Sequence, residues 1–88
     1  MNYAGVDYHK RYSVVCIIDE AGSILHTERI EHGYPERFAE LLGRYAPLEV
    51  AFEATMNWSW LHELLEETAG IQRIVMANPL HVRLIAAA

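Results

Sequence analysis

Two acidic residues, Asp7 and Glu53, stand where the sequence predicts the ends of two β-strands. Ligands of open α/β sheets bind in the crevice outside the carboxyl ends of the strands. If the two strands are parallel neighbours, both carboxylates lie at one edge of the sheet. Carboxylates at close range repel each other, so one stays protonated or a cation lies between them.

A magnesium site is the chemistry that this pair suggests, because Mg²⁺ takes one or two protein carboxylates and completes its shell with water and phosphate oxygens. Two such ions about 4 Å apart stabilise the attacking and leaving oxygens in phosphodiester cleavage. The alternative is that Asp7 and Glu53 are ordinary strand-end charges in water. The spacing alone leaves both interpretations open.

A candidate nucleic-acid contact follows directly after Asp7, at His9, Lys10 and Arg11. His9 is close enough in sequence to line the same crevice, and the two cations could approach a phosphate backbone. Adjacent basic residues are also a common surface feature, and a histidine in a turn is often only solvated. These three residues are therefore secondary candidates.

The elements that would position these residues follow from apolar periodicity and turn residues. Strands are predicted at Tyr3–Tyr8, Tyr12–Asp19, Ser23–Ile30, Glu49–Glu53 and Ile71–Met76. Helices are predicted over Tyr34–Tyr45, after an Asn57 cap, and from Asn78-Pro79 to Ala88. The predicted order is βββαβαβα.

This order predicts an α/β fold. The short connections among the first three strands require an antiparallel meander, and the later alternation of strands and helices requires parallel crossovers. We therefore expect a mixed five-stranded sheet with helices on its faces, which is the ribonuclease H-like architecture.

Composition limits the class of protein. The 88 residues are 52% hydrophobic with a formal net charge of −5, as expected for one small domain. The longest strongly apolar run, Val14-Val15-Cys16-Ile17-Ile18, is too short to cross a bilayer, so no membrane association and a cytoplasmic location are expected. A single cysteine excludes an internal disulfide, and Cys16 is expected to be buried. On charge alone, nucleic-acid binding is disfavoured.

Three segments resemble motifs of one known family. They are Gly5-Val6-Asp7-Tyr8-His9-Lys10, then Glu53-Ala54-Thr55-Met56-Asn57-Trp58 with Trp60-Leu61, and Ala77-Asn78-Pro79-Leu80-His81-Val82-Arg83. In this order they are similar to the DEDD-type transposases of the Insertion Sequence 110 family, which also includes the Piv-like DNA invertases. The resemblance extends over essentially the whole chain.

This resemblance implies a RuvC-like nuclease domain over residues 1–88 of a transposase or site-specific recombinase. Family members bind Mg²⁺, for which Mn²⁺ can substitute, through four acidic residues, and Asp7 and Glu53 match the first two. The implied partners are DNA, a structured guide RNA and further copies of the chain. The other two acids belong to a Thr-Asp-x-x-Asp-Ala type motif, which this sequence lacks, as it lacks the family's second domain. We therefore expect a truncated domain that is inactive alone and dimerises through its last helix.

Two other functions remain open at this stage. Actin-like ATPases and sugar kinases have a hairpin similar to Asp19-Glu20-Ala21-Gly22. In this chain, that hairpin is at the far end of the second strand, so Asp19 and Glu20 are excluded from the site at Asp7. Their phosphate-binding turn is rich in Gly and Thr, whereas this chain has the bulky segment Tyr8-His9-Lys10-Arg11-Tyr12. A non-catalytic assembly module with the same fold is the other alternative.

Overall fold

The computed structural model describes residues 1–53 and 58–76, and the structural statements below refer to these residues. Five strands and two helices follow one another in the predicted order. They are β1 (Asn2–Tyr8), β2 (Tyr12–Ile18), β3 (Ile24–Glu31), α1 (Glu36–Arg44), β4 (Leu48–Phe52), α2 (Ser59–Glu67) and β5 (Ile71–Met76). The predicted Asn57 cap and the predicted last helix, with its dimerisation surface, lie outside the described residues.

The sheet has five strands in the spatial order β3-β2-β1-β4-β5. β1 pairs antiparallel with β2, and β2 with β3, which confirms the predicted meander. β1 pairs parallel with β4, and β4 with β5, as the intervening helices require. The fold is therefore α/β with a mixed sheet, in agreement with the predicted ribonuclease H-like architecture.

Alternation along the strands places the apolar core on one face of the sheet. Core residues of the strands include Ala4, Val6, Val15, Ile17, Val50 and Phe52. The same cluster contains the buried side chains of α1 and α2, namely Phe38, Leu41, Leu42, Leu61 and Leu65. Both helices thus cover this face, which we call the helix-covered face, and their apolar stripes are the predicted ones.

The opposite face, which we call the Asp7 face, carries the residues that alternate with the core positions. Cys16 belongs to this face by its pairing with Gly5, and it is buried as predicted. Neither described helix packs on the Asp7 face, and the third predicted helix lies outside the described residues. In the described part of the chain, no helix is long and apolar enough to cross a membrane.

Two glycines close turns with a left-handed backbone conformation, Gly22 (φ +86°) and Gly70 (φ +91°). Gly22 ends the hairpin turn between β2 and β3, where its N–H donates to the Asp19 carbonyl at 3.0 Å. Gly70 precedes β5, and its carbonyl accepts from the Leu48 N–H at 3.0 Å. A Cβ at Gly70 would overlap the Cβ of Ala46, whereas a Cβ at Gly22 would meet nothing.

Alanine at these two positions should therefore have unequal effects on stability. We expect Gly22→Ala to lower the free energy of unfolding by about 1 kcal/mol, the cost of the left-handed conformation. Gly70→Ala should lower it by about 3 kcal/mol, because steric overlap adds to the same strain. Urea denaturation of the two variants measures both values. Equal losses would show that Ala46 can move away from the added Cβ without loss of stability.

Candidate functional site

The pairing of β1 with β4 brings the two predicted acidic residues together. The parallel register pairs Asn2 with Leu48 and continues without a shift to Val6 and Phe52. Asp7 and Glu53 are the residues that directly follow this last pair, and paired strand backbones lie about 4.8 Å apart. Val6 belongs to the core, so Asp7, the next residue of β1, lies on the Asp7 face. Glu53 follows the end of β4 at the same edge of the sheet.

His9 directly contacts the first of these acids. Its Nε2 lies 3.1 Å from Asp7 Oδ2, and the Asp7 and His9 side chains remain 28% and 42% exposed. The His9 N–H donates to the Tyr12 carbonyl at 2.8 Å, which closes the turn between β1 and β2. His9 thus lies beside the Asp7 carboxylate, which remains partly exposed.

Lys10 and Arg11 form the tip of this turn, and both are exposed. Among residues 1–53 and 58–76, neither makes an ion pair within 4.0 Å. The backbone of the turn is attached to the end of β3, because the His32 N–H donates to the Arg11 carbonyl at 2.8 Å. Two accessible cations thus stand beside Asp7 on a restrained loop.

The predicted exclusion of the second hairpin is consistent with the strand pairing. Asp19 and Glu20 follow the end of β2, where Ile18 pairs with Tyr3 at the start of β1. The N-terminal amino group lies 2.6 Å from Glu20 Oε1. These acids are therefore at the opposite edge of the sheet from Asp7.

A cluster of rings supports the turn from the helix-covered face. Tyr8 stacks on His32 with a centroid distance of 4.6 Å, and the Trp60 Nε1–H donates to the Tyr8 hydroxyl at 2.8 Å. The buried Ser13 Oγ lies 2.8 Å from His32 Nε2. Trp60 is half-buried, and neither His32 nor Ser13 was among the candidate residues. His32 and Ser13 come together because Ser13 pairs with Ile30 near the end of β3. This long-range pairing leaves no local signal in the sequence.

Burial determines the protonation of His32. Desolvation lowers the pKa of His32 below its ordinary value of 6.5, although a hydrogen bond to the Lys10 backbone and the nearby Glu31 charge act in the opposite direction. The folded chain therefore favours the neutral imidazole. The His32 side chain is hydrogen-bonded to the backbone of Lys10 in the β1–β2 turn.

A groove of about 340 Å³ lies between α2 and β5, lined in part by His62, Glu66 and Arg73. It includes Ile71, which pairs with Leu48 at the start of β4. Because β4 and β5 are parallel, this groove is at the edge opposite to Glu53. It therefore does not include the acidic pair.

A pair of carboxylates would suit a hard divalent cation such as Mg²⁺ or Mn²⁺. Two carboxylates from neighbouring strands, with solvent on one side, match the one or two protein ligands that Mg²⁺ usually takes. In the described part of the chain, no group of three or more His, Cys, Asp and Glu side chains could by itself enclose a metal ion. The remaining positions of such an ion would belong to water and phosphate oxygens.

The fold and the acidic pair together define a ribonuclease H-like domain with carboxylates at the ends of two parallel central strands. A family model described as a transposase, that of the DEDD-type transposases of Insertion Sequence 110, matches residues 4–88. The chain therefore belongs to this transposase family, which confirms the resemblance of the three sequence motifs. No curated protein and no solved structure gave a significant match.

The buried state of His32 makes stability depend on pH. Because its pKa is lower in the folded chain than in the unfolded chain, the unfolded state binds the proton more readily below about pH 6.5. We expect the free energy of unfolding to fall as the pH drops through this range, and His32→Gln to flatten that fall. His62→Gln, which leaves His32 and its neighbours intact, should retain the His32 contribution. Urea denaturation at a series of pH values measures the free energy of unfolding. If His32→Gln left the pH dependence of this free energy unchanged, His32 would not be its source.

Proposed function

We propose that residues 1–88 belong to the RuvC-like nuclease domain of a DNA transposase, and that Asp7 and Glu53 are catalytic metal ligands. The activity would be Mg²⁺-dependent cleavage and exchange of DNA strands at phosphodiester bonds. The observation that supports this proposal best is the β1–β4 register, which pairs Val6 with Phe52, the residues directly before Asp7 and Glu53. Membership in a transposase family supplies DNA as the substrate.

In this proposal each residue of the site has a separate task. Asp7 and Glu53 hold Mg²⁺, with Mn²⁺ as a substitute, against the phosphate to be cleaved. The bound ion supplies polarisation of the phosphoryl oxygens and stabilisation of charge in the transition state. His9 fixes the orientation of the Asp7 carboxylate through the 3.1 Å contact. Lys10 and Arg11 contact the DNA backbone, which positions the DNA without reading its sequence.

The wider setting of the proposal comes from the resemblance. On this basis we also propose that the protein works with a structured guide RNA, assembles with further copies of the chain and acts in the cytoplasm. The family match gives no support to the actin-like ATPase or sugar kinase alternative. A non-catalytic module would retain the fold but would have no use for the acidic pair.

Metal affinity tests the acidic pair directly. We expect the unsubstituted chain to bind Mn²⁺, and Asp7→Asn and Glu53→Gln each to weaken binding by roughly tenfold or more, because a lost ligand costs at least as much as a lost outer-shell partner. Glu20→Gln is the matched control, since it removes an exposed carboxylate at the opposite edge of the same sheet. Water-proton relaxation in a Mn²⁺ titration measures all four affinities.

The same proteins separate the competing functions. Equal Mn²⁺ affinity in Asp7→Asn and Glu20→Gln would contradict the proposed site and favour the non-catalytic module. A rise in melting temperature with ATP, but not with Mn²⁺ alone, would instead favour the kinase-like alternative. Circular dichroism confirms in each case that the variant is folded.

The turn cations give a second prediction, on DNA binding. The double substitution Lys10→Ala and Arg11→Ala should weaken binding to unrelated DNA sequences to the same extent, because phosphate contacts carry no sequence information. The slope of log affinity against log salt should decrease by roughly 0.9 for each lost contact on duplex DNA. Fluorescence anisotropy with two labelled duplexes measures this slope, and a loss confined to one sequence would contradict backbone contact.

A further inference from the structure

A stack of side chains extends from Asp7 across the first three strands. The Arg29 guanidinium carbon lies 3.6 Å from the centroid of the Tyr12 ring. The Tyr12 ring lies 4.7 Å from the His9 ring with an angle of 17° between their planes. His9 in turn contacts the Asp7 carboxylate at 3.1 Å. We call these three residues the Arg29–Tyr12–His9 stack.

Strand register places this stack on the Asp7 face. Val14 of β2 pairs with Asp7 on one side and with Arg29 on the other. Directly paired residues share a face, as do residues two apart on a strand, so Tyr12 lies on this face too. Arg29 is two strands from Asp7, or roughly 10 Å at about 4.8 Å per strand.

Arg29 has donors available for a ligand. Its Nε donates to Glu31 Oε1 at 2.8 Å, and its side chain is 58% exposed. Within residues 1–53 and 58–76, its two terminal amino groups have no hydrogen-bond partner. A guanidinium with both terminal amino groups accessible can bind a phosphate through two parallel hydrogen bonds. Tyr12 beneath it restricts the side chain and so lowers the entropy that binding would cost.

Arg37 provides a natural contrast. Its Nη1 donates to Glu40 at 3.0 Å and its Nη2 to Glu28 at 2.6 Å, so both terminal groups are used within the protein. Glu28 follows the alternation of β3 to the helix-covered face, where hydrogen bonds from His26 and Arg37 lower its pKa. The two arginines therefore differ in what they can still bind, and in which face they occupy.

We propose that Arg29 binds a backbone phosphate of the DNA close to the phosphate at Asp7 and Glu53, and that Tyr12 positions Arg29. This inference rests on the proposed function, since it takes DNA as the ligand of the Asp7 face. It adds a DNA contact on β3 that no sequence motif indicates. The path of the DNA would then cross β1, β2 and β3 rather than run toward β5.

The experiment compares two arginine substitutions in the 88-residue chain. Binding of a fluorescently labelled DNA duplex is measured by anisotropy with Mg²⁺ present, over a series of salt concentrations. Arg29→Gln should weaken binding by roughly tenfold, the value of one charge-assisted hydrogen bond, and should lower the salt slope by roughly 0.9. Arg37→Gln removes the same charge from the other face and should leave both quantities unchanged.

Tyr12 is tested as a positioning residue by a double-mutant cycle. Tyr12→Phe retains the ring and should bind DNA as the unsubstituted chain does. Tyr12→Leu removes the ring and should weaken binding, and Arg29→Gln should then have a smaller further effect in that background. Additive effects of Tyr12→Leu and Arg29→Gln would overturn the positioning role. Melting curves establish that each variant is folded.

The outcomes separate this inference from the proposed function. DNA binding that is equally strong in Arg29→Gln and Arg37→Gln would overturn the inference and leave the acidic pair unaffected. Equal losses in both variants would reduce the effect to non-specific charge and would also overturn it. If the unsubstituted chain binds no DNA, the inference fails, and the Mn²⁺ titration of Asp7→Asn still decides whether the acidic pair is a metal site.

Discussion

Parallel pairing between β1 and β4 determines the geometry of the candidate site. Val6, Val50 and Phe52 are fully buried on the helix-covered face, and their packing fixes the register of the two strands. A slip of one residue would move Glu53 to the opposite face and expose Phe52, because side chains alternate with a period of two. The hydrophobic core therefore sets where the chain continues into Asp7 and Glu53, and two carboxylates held close together there would be stabilised by a cation.

The turn after β1 is restrained from both faces of the sheet. On the helix-covered face, His32 bonds to the turn backbone and lies against Tyr8. On the Asp7 face, His9 lies between the Tyr12 ring and the Asp7 carboxylate. A turn with two basic residues at its tip would otherwise sample many conformations at a cost in entropy on binding. The surrounding rings reduce that cost before any ligand arrives, which is the preorganisation that an electrostatic site needs.

The sequence was sufficient to predict the strands and helices, because they depend on local patterns, and it indicated the acidic pair as a candidate site. Apolar periodicity located all five strands and both helices of the described part to within about two residues, and strand ends marked Asp7 and Glu53. The contacts of Arg29 and His32 were not predictable, since they depend on which residues face each other across β2 and β3. That register is set by burial along the whole meander and by an irregularity between Ile17 and Ile18, which no short motif encodes.

The net charge of −5 opposes DNA binding on average, but distance decides which charges a phosphate meets. At physiological salt, charges more than about 8 Å apart are largely screened. The exposed acids of α2, Glu63, Glu66 and Glu67, lie beyond a helix about 10 Å thick on the helix-covered face. On the Asp7 face, alternation also places Glu31 and Glu49, and under the proposed function a divalent cation at the acidic pair would offset part of this negative charge. Metal and DNA binding would then be coupled: each would raise the affinity for the other by the same factor, and an Asp7→Asn, Glu53→Gln variant would lose that coupling.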